Sequence, residues 1–325
     1  MYATSIFRAL VATMVVLGTT VVNAQPSYPS KPVRVVIGFP PGQASEMSAR
    51  MILQQVSKTL GQPFYIDNRA GASGTIAAGI VASAPPDGYT LLWGSIGPIG
   101  IAPSLYKSLP YNTSSDLVPV AQSNTGSQYL AVNASTGVKD VAGLISYVNA
   151  HKGEVNYGSA GSGSIQHLLM EMFKHEAHVD LTHVPYKGSS AAMQDLAAGR
   201  VQAGFETASV ALALSKGGMI RLIGISSKTR SPMSPDVPTI AEQGLPNFEV
   251  VSWSGMFAPK GTPPEVVLRL NKAMNEALAD PEIIRYLQTT GSQPAGGTPD
   301  EFKALVDREL ARWAEVVRYS GAALD

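Results

Sequence analysis

The same short design occurs twice in this chain: an apolar strand, a turn rich in glycine and small polar residues, then an amphipathic helix. In residues 155–173, VNYGSAGSGSIQHLLMEMF, the strand runs into Gly158, Gly161 and Gly163. These glycines permit backbone angles closed to other residues and let a ligand approach the main chain. Ile165, Leu168, Leu169, Met172 and Phe173 then follow the apolar spacing of a core-facing helix, with Ser162 or Ser164 as its N-cap. In residues 33–60 the strand VRVVIGF leads through Pro40, Pro41, Gly42, Gln43 and Ala44 to a helix with Ala49, Leu53, Val56 and Leu60 on one face. Ser45 is the N-cap expected there. Each turn aims unpaired amides, hydroxyls and the positive end of a helix dipole at one point, an arrangement suited to a carboxylate or phosphate.

Strands alternate with helices along the rest of the chain. Strands are expected at 64–67, 89–93, 118–121, 129–132, 181–184, 201–205, 220–225 and 250–257. Helices are expected around 76–84, 141–150, 190–198 and 210–214. A C-terminal set follows, with Val267, Leu270, Met274 and Leu278 on one stripe and Phe302, Leu305, Val306, Leu310, Trp313, Val316 and Val317 on another. Pro263, Pro281 and Pro299 mark their first turns. Such alternation predicts an α/β fold with parallel strand–helix–strand crossovers, and ligands in such sheets bind beyond the carboxyl ends of strands. The candidate ligand contacts therefore lie in the turns. They are Phe39, Pro41, Gly42, Gln43, Ala44 and Ser45; Ser95; Ser159, Ala160, Gly161, Ser162, Gly163 and Ser164, with His167 one turn on; and Glu206 with Thr207. His167 is suited either to donate to an anion or to pack at the cleft. Glu206 is suited to a ligand hydroxyl, water or amine. Trp93 and Trp253 are expected in the core.

Charge narrows the partners. Basic and acidic residues balance at 24 each, and no basic cluster favours a polyanion, so nucleic acid is not an expected partner. Near the N-terminus, Arg8 precedes a short apolar run, residues 9–22, and Val22-Asn23-Ala24 precedes Gln25 as a small-x-small cleavage signal. Residues 1–24 are expected to be a secretory signal peptide, too short in its apolar run for a membrane anchor. The chain has no cysteine, so the exported protein is held by its core without disulfides. A soluble periplasmic protein fits both features.

No catalytic pattern is present. The sequence lacks a G-x-S-x-G elbow, a cysteine nucleophile, a G-x-G-x-x-G loop and a phosphate-binding P-loop. Glu171, His175 and His178 are spaced to share a helix face near His183, which leaves a metal-dependent hydrolase as an alternative, but a solvated helix end is the expected reading. No metal, cofactor or catalytic residue is expected.

Several strings, in order, resemble one family: PDGYTLL (86–92), LYKSLPY (105–111), YGSAGSGS (157–164) with His167 and Leu168, PYKG (185–188), VPTIAEQG (237–244) and FAPKGTP (257–263). Over residues 29–320 the chain is similar to the periplasmic solute-binding proteins of tripartite tricarboxylate transporters, the Bug or TctC-like group. The resemblance implies a two-lobed, type II periplasmic binding fold in which each lobe is a mixed sheet flanked by helices. Residues 25–125 with 250–325 would form one lobe and 126–249 the other. It also implies that the first-strand turn and the 159–164 turn clamp a ligand carboxylate from opposite lobes, partly through waters. The implied partners are a small organic carboxylate (mono-, di- or tricarboxylate, or aromatic acid) and the integral-membrane permease subunits, with the receptor a monomer. A receptor feeding a periplasmic sensor kinase is the alternative. The chain departs from the family pattern at Gln43, where glycine is usual, and at Glu46 and Glu206, where aspartate is usual. It also departs in the 67–74 turn DNRAGASG.

Overall fold

A computed structural model of the chain describes residues 28–324; the expected signal peptide, residues 1–24, lies outside them. The elements run β1 (Val33–Ile37), α1 (Ala44–Leu60), β2 (Phe64–Asn68), α2 (Thr75–Ala82), β3 (Thr90–Ser95), α3 (Ala102–Leu105), α4 (Thr113–Asp116) and β4 (Leu117–Asn133). Next come α5 (Val141–Ala150), β5 (Asn156–Ser159), α6 (Ile165–Ala177), β6 (Thr182–Pro185), α7 (Ser189–Ala197), β7 (Ala203–Thr207), α8 (Ala208–Ser215) and β8 (Ile220–Ile225). The chain closes with β9 (Val251–Pro259), α9 (Pro264–Leu278), α10 (Pro281–Thr289), β10 (Ser292–Gly296) and α11 (Pro299–Ser320). Among the described residues no helix is long and apolar enough to cross a membrane.

The strands form one curled sheet in the order β2-β1-β3-β9-β4-β7-β5-β6, with β8 and β10 also paired to β4. Its flanks are parallel, as alternation predicts: β1 pairs β2 and β3, and β5 pairs β6 and β7. Its centre is antiparallel, because β4 and β9 run against their neighbours. The sheet is thus mixed, and wholly parallel crossovers do not describe it.

β4 joins the two flanks. Residues 117–127 pair with β9 and residues 128–132 with β7. Two short strands at 118–121 and 129–132 were expected here, but they are one continuous element. The polar stretch 122–128 between them stays extended because β9 and β10 both bond to it, so long-range pairing overrides the turn-like composition.

Apolar faces pack as their spacing dictates. Val33, Val35, Val36 and Ile37 of β1 are fully buried, and Arg34 reaches Asp67 on β2, Nε to Oδ2 2.9 Å. Ala49, Leu53 and Val56 of α1 pack with Leu270, Met274 and Leu278 of α9. α11 opens with a capping box, Thr298 and Glu301 each bonding the other's backbone amide. It lays Phe302 edge-on against Trp253, 5.6 Å between ring centroids, and buries Trp313 completely. Several short elements, α4 among them, went unread in the sequence. Residues 97–105 form a wide helical turn running into α3, and β10 pairs with β4 despite Pro294.

Candidate ligand-binding cleft

The turns after β1, β3, β5 and β7 open on a cleft of about 550 Å³, whose further walls come from the middle of β4, the start of β9 and the turn after α10. Among the described residues its lining contains no Asp, Glu, Lys, Arg or His; the polar groups are serines, threonines, Asn124, Gln43, Gln128 and Gln166, with the rings of Phe39, Tyr106 and Trp253. Anything bound here is held by neutral donors, neutral acceptors and helix dipoles.

The 159–164 turn is the most constructed part. Ser164 is the N-cap of α6, its Oγ accepting the His167 amide at 3.3 Å. The Ile165 and Gln166 amides, in the first turn, have no acceptor within the helix and lie at the cleft. Gly163 has φ +76°, and its Cα faces Leu105 and Leu324 so closely that a Cβ would stand 2.7 Å from Leu105. His167 does not line the cleft. Its Nδ1 accepts the Gly163 amide at 3.1 Å, its ring stacks on His183 at 4.0 Å, and His183 meets Ser159 Oγ through Nε2 at 2.7 Å. Tyr157 also stacks on His183, 4.9 Å between centroids, and lies 6.4 Å from the His167 ring. A layer of rings therefore holds the turn from behind. Removing the cap by Ser164→Ala is expected to destabilise the protein by about 1 kcal/mol, read by urea denaturation.

This layer has a pH consequence. Burial, then the neighbouring His167 and Lys174, push His183 down to about 4, and burial lowers His167 as well. The unfolded chain, with ordinary histidines near 6.5, takes up these protons first. The stability held by the neutral pair is therefore complete above pH 6.5 and is lost as pH falls toward 4. The melting temperature is expected to fall across that window, and His183→Asn is expected to flatten the slope.

The first turn is braced differently. The Asn68 side-chain amide donates to the Phe39 carbonyl at 2.8 Å, and Glu46, only 2% exposed, accepts the Gly42 amide at 3.0 Å and bonds Arg50. The N-cap of α1 is Gln43, not Ser45, and it makes no side-chain cap bond. The Glu46 carboxylate reaches back to the preceding turn and leaves the Gln43 and Ser45 side chains in the cleft wall.

Among the candidate contacts, Phe39, Gln43, Ser45, Ser95, Ala160, Gly163, Ser164 and Thr207 line the cleft. Pro41, Gly42, Ser159, Gly161, Ser162, His167 and Glu206 do not, and Ala44 opens α1. Glu206 is 1% exposed. Its Oε1 accepts the Thr207 amide and hydroxyl at 2.7 and 3.0 Å, and burial pushes its carboxyl up against the hydrogen bonds from Thr207 and Ser189.

Sequence reading missed the Gly126–Gln128 stretch of β4, the residues 252–254 of β9, the 290–292 turn, and Leu324, which bonds back to Leu105 through its amide at 2.9 Å. Trp253 was assigned to the core; it is 2% exposed and also forms part of the wall. The helical spacing of Glu171, His175 and His178 has other uses. Glu171 accepts from Tyr157 and Lys174, His175 stacks on Tyr319, and His178 ends the helix with a left-handed backbone. Among the described residues no group of three acidic, histidine or cysteine side chains is placed to hold a metal.

Residues 48–322 match the family described as the tripartite tricarboxylate transporter family receptor, TctC. The chain belongs to that family. Protein BugT of Bordetella pertussis is 37% identical to this TctC-family receptor over 299 residues, 92% of each chain. A protein of R. palustris solved with adipate is 38% identical, with a TM-score of 0.79 over 91% of this chain and 99% of that one. MatC of Rhodopseudomonas palustris, solved with bound malate, is 36% identical, with a TM-score of 0.75 over 89% of this chain and 100% of its own. The receptor thus has the two-lobed fold of periplasmic solute-binding proteins and is not an enzyme.

Proposed function

We propose that this receptor captures a small organic carboxylate in the cleft between its lobes and delivers it to the integral-membrane permease subunits of a tripartite tricarboxylate-type transporter. The carrying observation is the neutral cleft lining onto which the first turns of α1, α6 and α8 open. One ligand carboxylate is then held by first-turn amides and serine hydroxyls from both sides, where the helix dipoles favour negative charge. Donors without a formal charge bind firmly and still release, which suits a carrier. The solved relatives carrying adipate and malate support the ligand class.

In this reading, residues 25–125 with 250–325 and residues 126–249 are the two lobes, and they close over the ligand by bending where β4 passes between its pairing partners. Residues 1–24 direct export to the periplasm and are removed, and the mature receptor acts as a monomer. A thermal-shift screen of residues 25–325 against mono-, di- and tricarboxylates and aromatic acids, with sugars and amines as controls, tests the ligand class. A ligand that binds only the folded state raises the melting temperature by mass action. At least one acid is expected to raise it; a screen in which no acid does and a neutral control does would overturn the proposal.

A further inference from the structure

With the lobes divided as above, two backbones meet beside the point where β4 crosses from one lobe to the other. Ser292 of β10 pairs with Gly126, and Thr207 of β7 pairs with Gln128, so only Ser127 separates the two pairings along β4. The residue before Ser292 is Gly291 and the residue after Thr207 is Ala208. A Cβ built on Gly291 would stand 2.1 Å from the Ala208 Cβ, where carbon atoms in ordinary contact stand about 3.5–4.0 Å apart. Both residues line the cleft.

Each partner is anchored in the core of its own lobe. The Gly291 amide donates to the Gln288 carbonyl at 3.0 Å, and Thr290 Oγ1 donates to the Leu287 carbonyl at 2.8 Å. Leu287 is fully buried in the cluster that contains Ile37, Leu53 and Leu270. Ala208 opens α8, is 3% exposed and packs with Tyr129 and Ile225. Closure about β4 drives these two backbones together, and a side chain on Gly291 would meet Ala208 before the present spacing is reached.

We propose that Gly291 and Ala208 form a stop that sets how far the lobes close, so that donors at the starts of α1 and α8, on opposite lobes, reach one bound molecule; this rests on the two-lobed capture reading above. They are positioning residues. The absent side chain at 291 lets the cleft shut, and the Ala208 methyl ends the movement. A methyl group added at 291 acts as a wedge beside the bend and holds the two sets of donors apart.

A double-substitution cycle tests the stop. Adipate, malate and the screened compound with the largest thermal shift are titrated calorimetrically into residues 25–325, unaltered and with Gly291→Ala, Ala208→Gly or both. With Ala208 present, Gly291→Ala is expected to weaken binding at least about tenfold, because the closed form that binds becomes a minor population. In the Ala208→Gly background the new Cβ lies 3.5 Å from the Cα of residue 208 and 3.6 Å from Met233 Sδ, both ordinary contacts. There the same substitution is expected to cost about twofold or less, the difference being the coupling between the two positions. Gly291 has φ +76°, but strain from that angle is the same in both backgrounds and does not produce the difference. Ala208→Val adds bulk from the other side with no strained backbone angle and is also expected to weaken binding, so it carries the test if Gly291→Ala does not fold. Unchanged affinity in the folded variants, or an equal loss from Gly291→Ala in both backgrounds, overturns the stop and leaves the carboxylate reading standing. If a neutral compound binds and no acid does, the carboxylate reading falls, and the same cycle run with that compound still judges the stop.

Discussion

Trp313→Ala is expected to lower the unfolding free energy by about 3–5 kcal/mol, the range for emptying a fully buried tryptophan site. Two effects add. The ring packs beside Gly100 in the 97–105 turn, where it stands 3.3 Å from the position a Cβ would take, so its loss opens a cavity behind the cleft wall. Its Nε1–H also donates to Glu309 at 2.9 Å, and Glu309 is only 3% exposed. With the indole gone, that carboxylate keeps only Arg312, which bonds its other oxygen at 2.7 Å. Trp313→Phe keeps most of the volume and loses the bond, so a smaller loss of about 1–3 kcal/mol is expected. Urea denaturation of both variants separates the packing loss from the hydrogen bond.

Gly163→Val is expected to weaken ligand binding about 100-fold or more, equivalent to about 2.7 kcal/mol. Gly163 has φ +76°, which a β-branched residue adopts only under strain. The added Cβ would lie 2.7 Å from Leu105 and 3.2 Å from Leu324, and both of those side chains wall the cleft. The new side chain must therefore displace that wall or shift the turn whose first-turn amides face the cleft. Gly153→Ala is the control. Its φ is +80° with nothing within 4 Å, so it tests backbone strain alone. That control is expected to lose about 1 kcal/mol of stability and keep its affinity. Equal losses of affinity in the two variants would show strain to be the cause and not the wall.

Local signals explain what could be read in advance. β8 matches its expected range, and the glycine–serine turn into α6 carries its cap at Ser164, because apolar periodicity and capping chemistry act within a few residues. The missed parts depend on distant partners. Gly97, Pro98, Gly100 and Pro103 each read as helix breakers, yet the segment winds into a helix because Tyr111 and Thr113 donate to the carbonyls of Pro98 and Ile99 and Trp313 packs beside it. Pro294 argues against a strand, yet β10 is held to β4 alone, where an edge tolerates a residue with no amide hydrogen. His167 sits one turn into α6, a position equally suited to touching a ligand or bracing its turn. The structure sets it behind the turn, because His183, far along the chain, stacks on it. Leu324 has no local signal for a place in the wall; its bond to Leu105 puts it there.

The most direct measurement compares one acid with its methyl ester. The acid giving the largest thermal shift and its ester are titrated calorimetrically into the same mature receptor at neutral pH. Esterification keeps the size and the carbonyl oxygen while removing the negative charge that the helix first turns are placed to hold. The acid is expected to bind at least about tenfold tighter, and Ser164→Ala is expected to narrow the gap. Equal affinities for acid and ester would contradict carboxylate recognition by the cleft.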